Sequence, residues 1–255
     1  MGVMWRLFKK DLKAVTAFPR FEILLFISAF TFVGMSITIV WPLSLDRFIQ
    51  TFNKNFSWFL TSFVFLLAPL MVTDIISGEY ERGTLLTLIS YPVKRFEVLT
   101  AKLAATYLFS SIMLAVPFLL SISTASSFNG LAVESTMMLS YFVGLIFLNL
   151  ILCSVAVAVS VLSRRLIMAA LAFLFISIGW IFAIPGLAAT MNLSELSLYA
   201  YTETVKNLIS LLLSPDRSSF MFSREQILGA VAFQLLVSAS CLGLAYWFFQ
   251  RREFK

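Results

Sequence analysis

Between Lys102 and Glu134 no side chain carries a charge, and between Glu134 and Arg164 none does again. Each run exceeds the ~20 apolar residues that carry a helix across a bilayer core. Inside lipid every backbone amide must be paired within the chain, which favours helices for such runs. Charge-free stretches also cover 23–45, 55–73, 166–189 and 227–249. The pattern predicts an all-α integral membrane protein, a single domain over 1–255. Its six transmembrane helices are expected at about 23–45, 55–76, 103–125, 136–162, 166–189 and 227–249. Pro117 is read as a kink in the third, and Ser126–Gly130 as the loop that ends it. A chain 60% hydrophobic and 13% charged carries about half the charge of an ordinary soluble domain.

The ends of the runs orient the chain. Of 19 basic residues, only Arg47, Lys54, Lys206, Arg217 and Arg224 fall in the segments that alternate to the outside when the N-terminus is cytoplasmic. That bias places both termini in the cytoplasm and the protein in the plasma membrane. Residues 1–20 carry Met4, Trp5, Phe8, Leu12 and Val15 at helical steps, with Lys9, Lys10 and Lys13 on other faces. This predicts an amphipathic interfacial helix held against anionic membrane lipid. Met191–Gln226 regains charge around the apolar Leu208–Leu213, as expected of an outer loop that packs back on the membrane and is a candidate outer gate.

Several function classes lose their parts here. There is no histidine, so histidine-based nucleophiles, zinc sites and proton relays are excluded, and no metal site is expected. Cys153 and Cys241 lie inside apolar runs and read as buried small hydrophobes. The net charge of +6 is spread over span ends, without the basic, aromatic-rich face that binds nucleic acid. An ion-coupled transporter or channel needs polar groups at depth. Asn149 and Gln234 are the candidates for a polar pathway, with hydrogen bonding between packed helices as the plainer reading. No phosphate-binding GxxxxGK[ST] loop is present, so no nucleotide cofactor is expected in this chain.

One charged stretch separates the second and third runs. From Thr73 to Lys102, acids, bases, Gly and Pro alternate with short apolar steps. Gly78 is expected to end the second span and Tyr91–Pro92 to close a short amphipathic helix between them. Glu79, Glu81 and Arg82 read as solvent-facing charges suited to partner discrimination. Gly83 reads as a point of close backbone approach, and Thr84 as the cap of a helix beginning at Leu85.

The segment Ile76–Leu103 resembles the signature region of ABC transporter permeases of the second exporter type: a Glu-x-x-x-Gly-Thr step, a proline about eight residues on, then a basic residue and a lysine opening the next span. Glu79, Gly83, Thr84, Pro92, Arg95 and Lys102 match. Within that family the Gly-Glu-x-x-x-Gly-Thr…Tyr-Pro spelling is similar to the permease serving nitrous oxide reductase maturation. The resemblance implies a coupling helix over roughly 78–91 that docks a cytoplasmic ATP-binding subunit, with a smaller contact at Arg164 and Arg165. It implies a permease dimer, ATP and magnesium held by the partner subunit, and export of a substrate. A complex that transmits force without carrying cargo is the alternative within the same family.

Overall fold

The computed structural model describes residues 3–15, 74–84, 94–129, 135–191, 194–213 and 222–251. Among them there is no strand. The expected first span and most of the second lie outside the described residues.

Helix α1 is Val3–Val15. A π-helical turn, Asp74–Gly78, runs directly into α2, Glu79–Glu81. The long helix α3, Arg95–Asn129, passes through Pro117 without a break. It therefore overruns the expected 103–125 at both ends, and Ser126–Asn129 are helical where a loop was expected. No charge or glycine interrupts those four residues, and Gly130 lies just beyond.

Helix α4 is Ser135–Leu162 and α5 is Leu166–Ile178. A second π-helical turn, Gly179–Ala183, joins α5 to α6, Ile184–Thr190. Pro185 stands at the start of α6 and has no N–H to give. A widened turn just before a proline absorbs the missing i→i−4 bond. The described residues between 191 and 226 are largely helical, where a loop was expected. They hold α7, Ser194–Ser197, and α8, Tyr201–Leu213, in which Thr204 and Val205 are wholly buried.

Helix α9 is Arg224–Arg251. Ser223 and Gln226 open it with a reciprocal capping box. The Gln226 N–H donates to Ser223 Oγ at 3.2 Å, and the Ser223 N–H donates to Gln226 Oε1 at 2.8 Å.

Helix α4 is the centre, packed by α3, α5, α8 and α9. Nearly every residue from Leu148 to Val161 is buried. The small side chains Cys153, Ser154, Ala156, Ala158 and Ser160 let neighbouring backbones approach, as helices do where lipid supplies no hydrophobic drive. Two of the described helical stretches, Leu139–Leu162 and Arg224–Arg251, have the length and apolarity to cross a membrane. Outward from this core stand Ile167, Met168, Leu171 and Phe175 on α5, the last 82% exposed, and Leu236 and Leu244 on α9. Apolar patches of this extent face lipid or another protein.

Gly144 sets the distance between α4 and α8. A Cβ there would stand 2.6 Å from Ile209 Cδ1 and 2.7 Å from its Cγ1. Gly144→Leu should cost about 1–3 kcal/mol of stability through overpacking. The readout is a lower unfolding midpoint in detergent, with Ile209→Ala in the same chain recovering most of the loss.

Candidate functional site: a braced segment at one end of the bundle

The 74–84 segment ends differently from the sequence expectation. Gly78 is helical, at φ −68° and ψ −38°, and buried, so the helix continues through it. The turn comes at Arg82–Gly83, where Gly83 takes φ 72° and its N–H bonds the Tyr80 carbonyl at 3.1 Å. That left-handed conformation is the reason for glycine at 83. No described atom would lie within 4 Å of a Cβ there. Thr84 Oγ1 donates back to the Glu79 carbonyl at 3.2 Å, sealing α2 from behind. Leu85 onward, including Tyr91 and Pro92, lies outside the described residues.

At least three ties hold this segment to the bundle. The Ser77 N–H donates to Ser160 Oγ on α4 at 3.0 Å, within the core. Glu81 Oε2 accepts the Leu166 N–H at 3.1 Å. A carboxylate on the first amide of α5 satisfies an orphan donor and meets the positive end of the helix dipole. The third tie is ionic. Lys102 Nζ lies 2.7 Å from Glu79 Oε2 and 3.4 Å from Asp11 Oδ1, with side-chain exposures of 1% for Lys102, 5% for Asp11 and 16% for Glu79.

Glu79 is therefore not a solvent-facing partner charge. Its carboxylate is turned inward because a buried ammonium needs a counter-ion. Lys102, expected as an ordinary basic residue at a span end, is among the largest fully buried side chains. Burial pushes the Asp11 carboxyl above its ordinary range. Lys102 pulls it down, and Glu79, a like charge on the same lysine, pushes it up again.

Glu81, Arg82 and Thr84 remain exposed at the tip of the segment, as do Arg164 and Arg165 on the turn between α4 and α5. The Glu81–Leu166 bond joins these two exposed patches. Nearby, Arg95 Nη1 donates to the Gln250 carbonyl at 2.5 Å, closing the C-terminus of α9. The ends of α3, α4 and α5 thus meet around one short segment, and α1 reaches it through Lys102.

Asn149 and Gln234 lie elsewhere, and their amides serve packing. Asn149 Nδ2 donates to Ser111 Oγ at 2.8 Å and to the Tyr107 carbonyl at 3.3 Å, and Asn149 Oδ1 accepts from Cys153 Sγ at 3.3 Å. Gln234 Nε2 donates to the Tyr199 carbonyl at 2.7 Å, which Trp180 Nε1 also reaches at 3.1 Å. Gln234 Oε1 has no hydrogen-bond partner among the described residues. Asn149→Leu should cost roughly 1 kcal/mol, the scale of one interhelical hydrogen bond in a membrane bundle. Unfolding in detergent measures it, and cargo selectivity in reconstituted transport should not change.

No group of three or more acids, cysteines or histidines among the described residues is placed to hold a metal ion. Missing from the sequence reading was Asp11. Its signal was its position, three residues after Phe8 and four before Val15, on the apolar stripe of α1. An acid on such a stripe calls for a buried cation.

An apolar helical bundle in which two described helices have the length and apolarity to cross a membrane suits a membrane protein. A family model described as ABC-2 family transporter protein matches residues 9–254, nearly the whole chain, and the chain belongs to that family. It is a membrane permease component of an ABC transporter, of the kind that generally pairs with ATP-binding subunits. Comparison with curated proteins gave no match.

Proposed function

We propose that this permease works as an ATP-driven exporter. Two copies pair, each with six spans and both termini in the cytoplasm. Each docks a separate ATP-binding subunit on the 78–91 segment, with Arg164 and Arg165 as a second contact. Closure of the ATP-binding subunits on nucleotide pushes the two segments together, and the spans change between inward- and outward-facing arrangements.

The observation that carries this reading is the combination at 74–84: an exposed tip, Glu81 to Thr84, on a base fixed by Ser160, Leu166 and Lys102. A force applied at such a tip reaches α4, α5 and α3 directly, because each tie ends on a different helix. A floppy surface loop would dissipate it. Coexpression with a P-loop ATPase tests the reading: the two should copurify, and Arg82→Glu should break the complex while the permease keeps its unfolding midpoint. Transport by the purified chain in an ion gradient without nucleotide would overturn it in favour of a secondary transporter.

A further inference from the structure

At the corner between α7 and α8, side chains reach the backbone carbonyls. Thr204 Oγ1 donates to the Leu198 carbonyl at 2.6 Å and lies 3.1 Å from that of Ala200. The Tyr199 carbonyl takes two donors at once: Gln234 Nε2 of α9 at 2.7 Å and Trp180 Nε1 of the Gly179–Ala183 turn at 3.1 Å. Gln234 is wholly buried, and its Oε1 has no hydrogen-bond partner among the described residues. Turning the amide over offers no remedy, because Oε1 would then face the Tyr199 oxygen, acceptor against acceptor. One carbonyl thus holds two donors while the next acceptor holds none, an imbalance that is costly where water is excluded.

The donor with room to move is Trp180. It is half-buried and rides on a π-helical turn, and Ile178 and Ile184 on either side keep ordinary helical angles, so the widening is confined to that turn. A Cβ at Gly179 would meet no described atom within 4 Å, so no described packing wedges the start of the turn. Moving a widened turn by one residue rotates the side chain it passes by about 100° around the helix axis. Pro185 has no N–H to close an α-helical bond, so the shift runs toward α5.

We propose that Trp180 is a two-position latch, its indole N–H resting on the Tyr199 carbonyl in this structure and passing to Gln234 Oε1 in a second arrangement. In that second arrangement both acceptors have a donor, since Gln234 Nε2 stays on Tyr199. The latch decides whether the joint between α5 and α6 is fastened to the α7–α8 corner or to α9. Roughly 24 Å of helix separates Gln234 from Gln250, so the latch lies well away from the 74–84 segment. It goes beyond the coupling role of that segment and does not rest on it.

The indole N–H reports its own position. The full chain is purified in detergent with its tryptophans labelled by a heavy nitrogen isotope, and the Trp180 indole resonance is assigned by its loss in Trp180→Phe. That resonance should show exchange with a second population of about 1–10%, on the microsecond-to-millisecond scale of helix register shifts. Gln234→Leu removes the second acceptor and should lower that population roughly tenfold, the scale of one hydrogen bond, while the other indole resonances stay in place. Asn149→Leu removes an interhelical hydrogen bond elsewhere and should leave the exchange unchanged.

A Trp180 resonance without exchange in the wild type overturns the latch. So does exchange that survives in Gln234→Leu, or that is lost equally in Asn149→Leu. Pro185→Ala carries the same test should Gln234→Leu fail to fold. It keeps both acceptors and restores the N–H that lets the turn close as α-helix, so the exchange should slow roughly tenfold. Unchanged exchange in Pro185→Ala overturns the latch as well.

Discussion

Lys102→Met should lower the unfolding free energy of the chain by about 3–5 kcal/mol, the range found when one member of a buried ion pair is removed. Methionine roughly matches the lysine stem in length and flexibility, so the loss is assigned to the carboxylates left behind and not to a cavity. Asp11 and Glu79 would then share a site of little water with no cation between them. Lys102→Met combined with Asp11→Asn and Glu79→Gln should recover most of the loss, because neutral amides can pair with one another. Urea or thermal unfolding in detergent reads both.

The same cluster has a pH signature of definite sign. Folding raises the Asp11 pKa above the ordinary 3.8, so it favours the protonated form. Stability from this group is fully present below the ordinary value and is lost as pH climbs through the raised one. Asp11→Asn should flatten that part of the stability–pH curve. Two acids on one lysine are thus a poor stabilising device, and their value lies in fixing the positions of α1, α2 and α3 relative to each other.

Arg82→Glu should abolish copurification of the ATP-binding subunit, with affinity falling more than a hundredfold. At the proposed docking surface a reversed charge would place like against like, a penalty of several kcal/mol. Its unfolding midpoint should stay near that of wild type, since Arg82 is exposed. Glu79→Ala makes an instructive contrast. It strips Lys102 of its nearer counter-ion, so it should destabilise the permease whatever it does to the complex. Loss of the partner together with an unchanged midpoint is the result that separates docking from folding. A full complement of bound ATPase on Arg82→Glu would remove this residue from the interface.

Among the described residues, the helices over 95–129, 135–162, 166–178 and 224–251 were legible in the chain, because long charge-free runs leave few alternatives. Their ends were less so. Gly78 looks like a terminator in one dimension, but the helix passes through it and turns at Gly83, where only the backbone angle reveals the need. Ser126–Asn129 has the composition of a loop and continues α3. The exposed tip could be read from its charges, whereas the braces could not. Glu81 meets a backbone amide 85 residues away, and Lys102 meets an acid 91 residues away. Periodicity records which face a residue is on, and it is silent about which distant segment packs there.

Nearly every residue in the middle of α4, from Leu148 to Val161, is buried by protein. A helix so enclosed has little surface left for lipid. The wide outer surfaces of α5 and α9 are the described ones left to border lipid or another protein. Movement of those helices would make α4 the spindle about which they turn, its small side chains serving as the bearing.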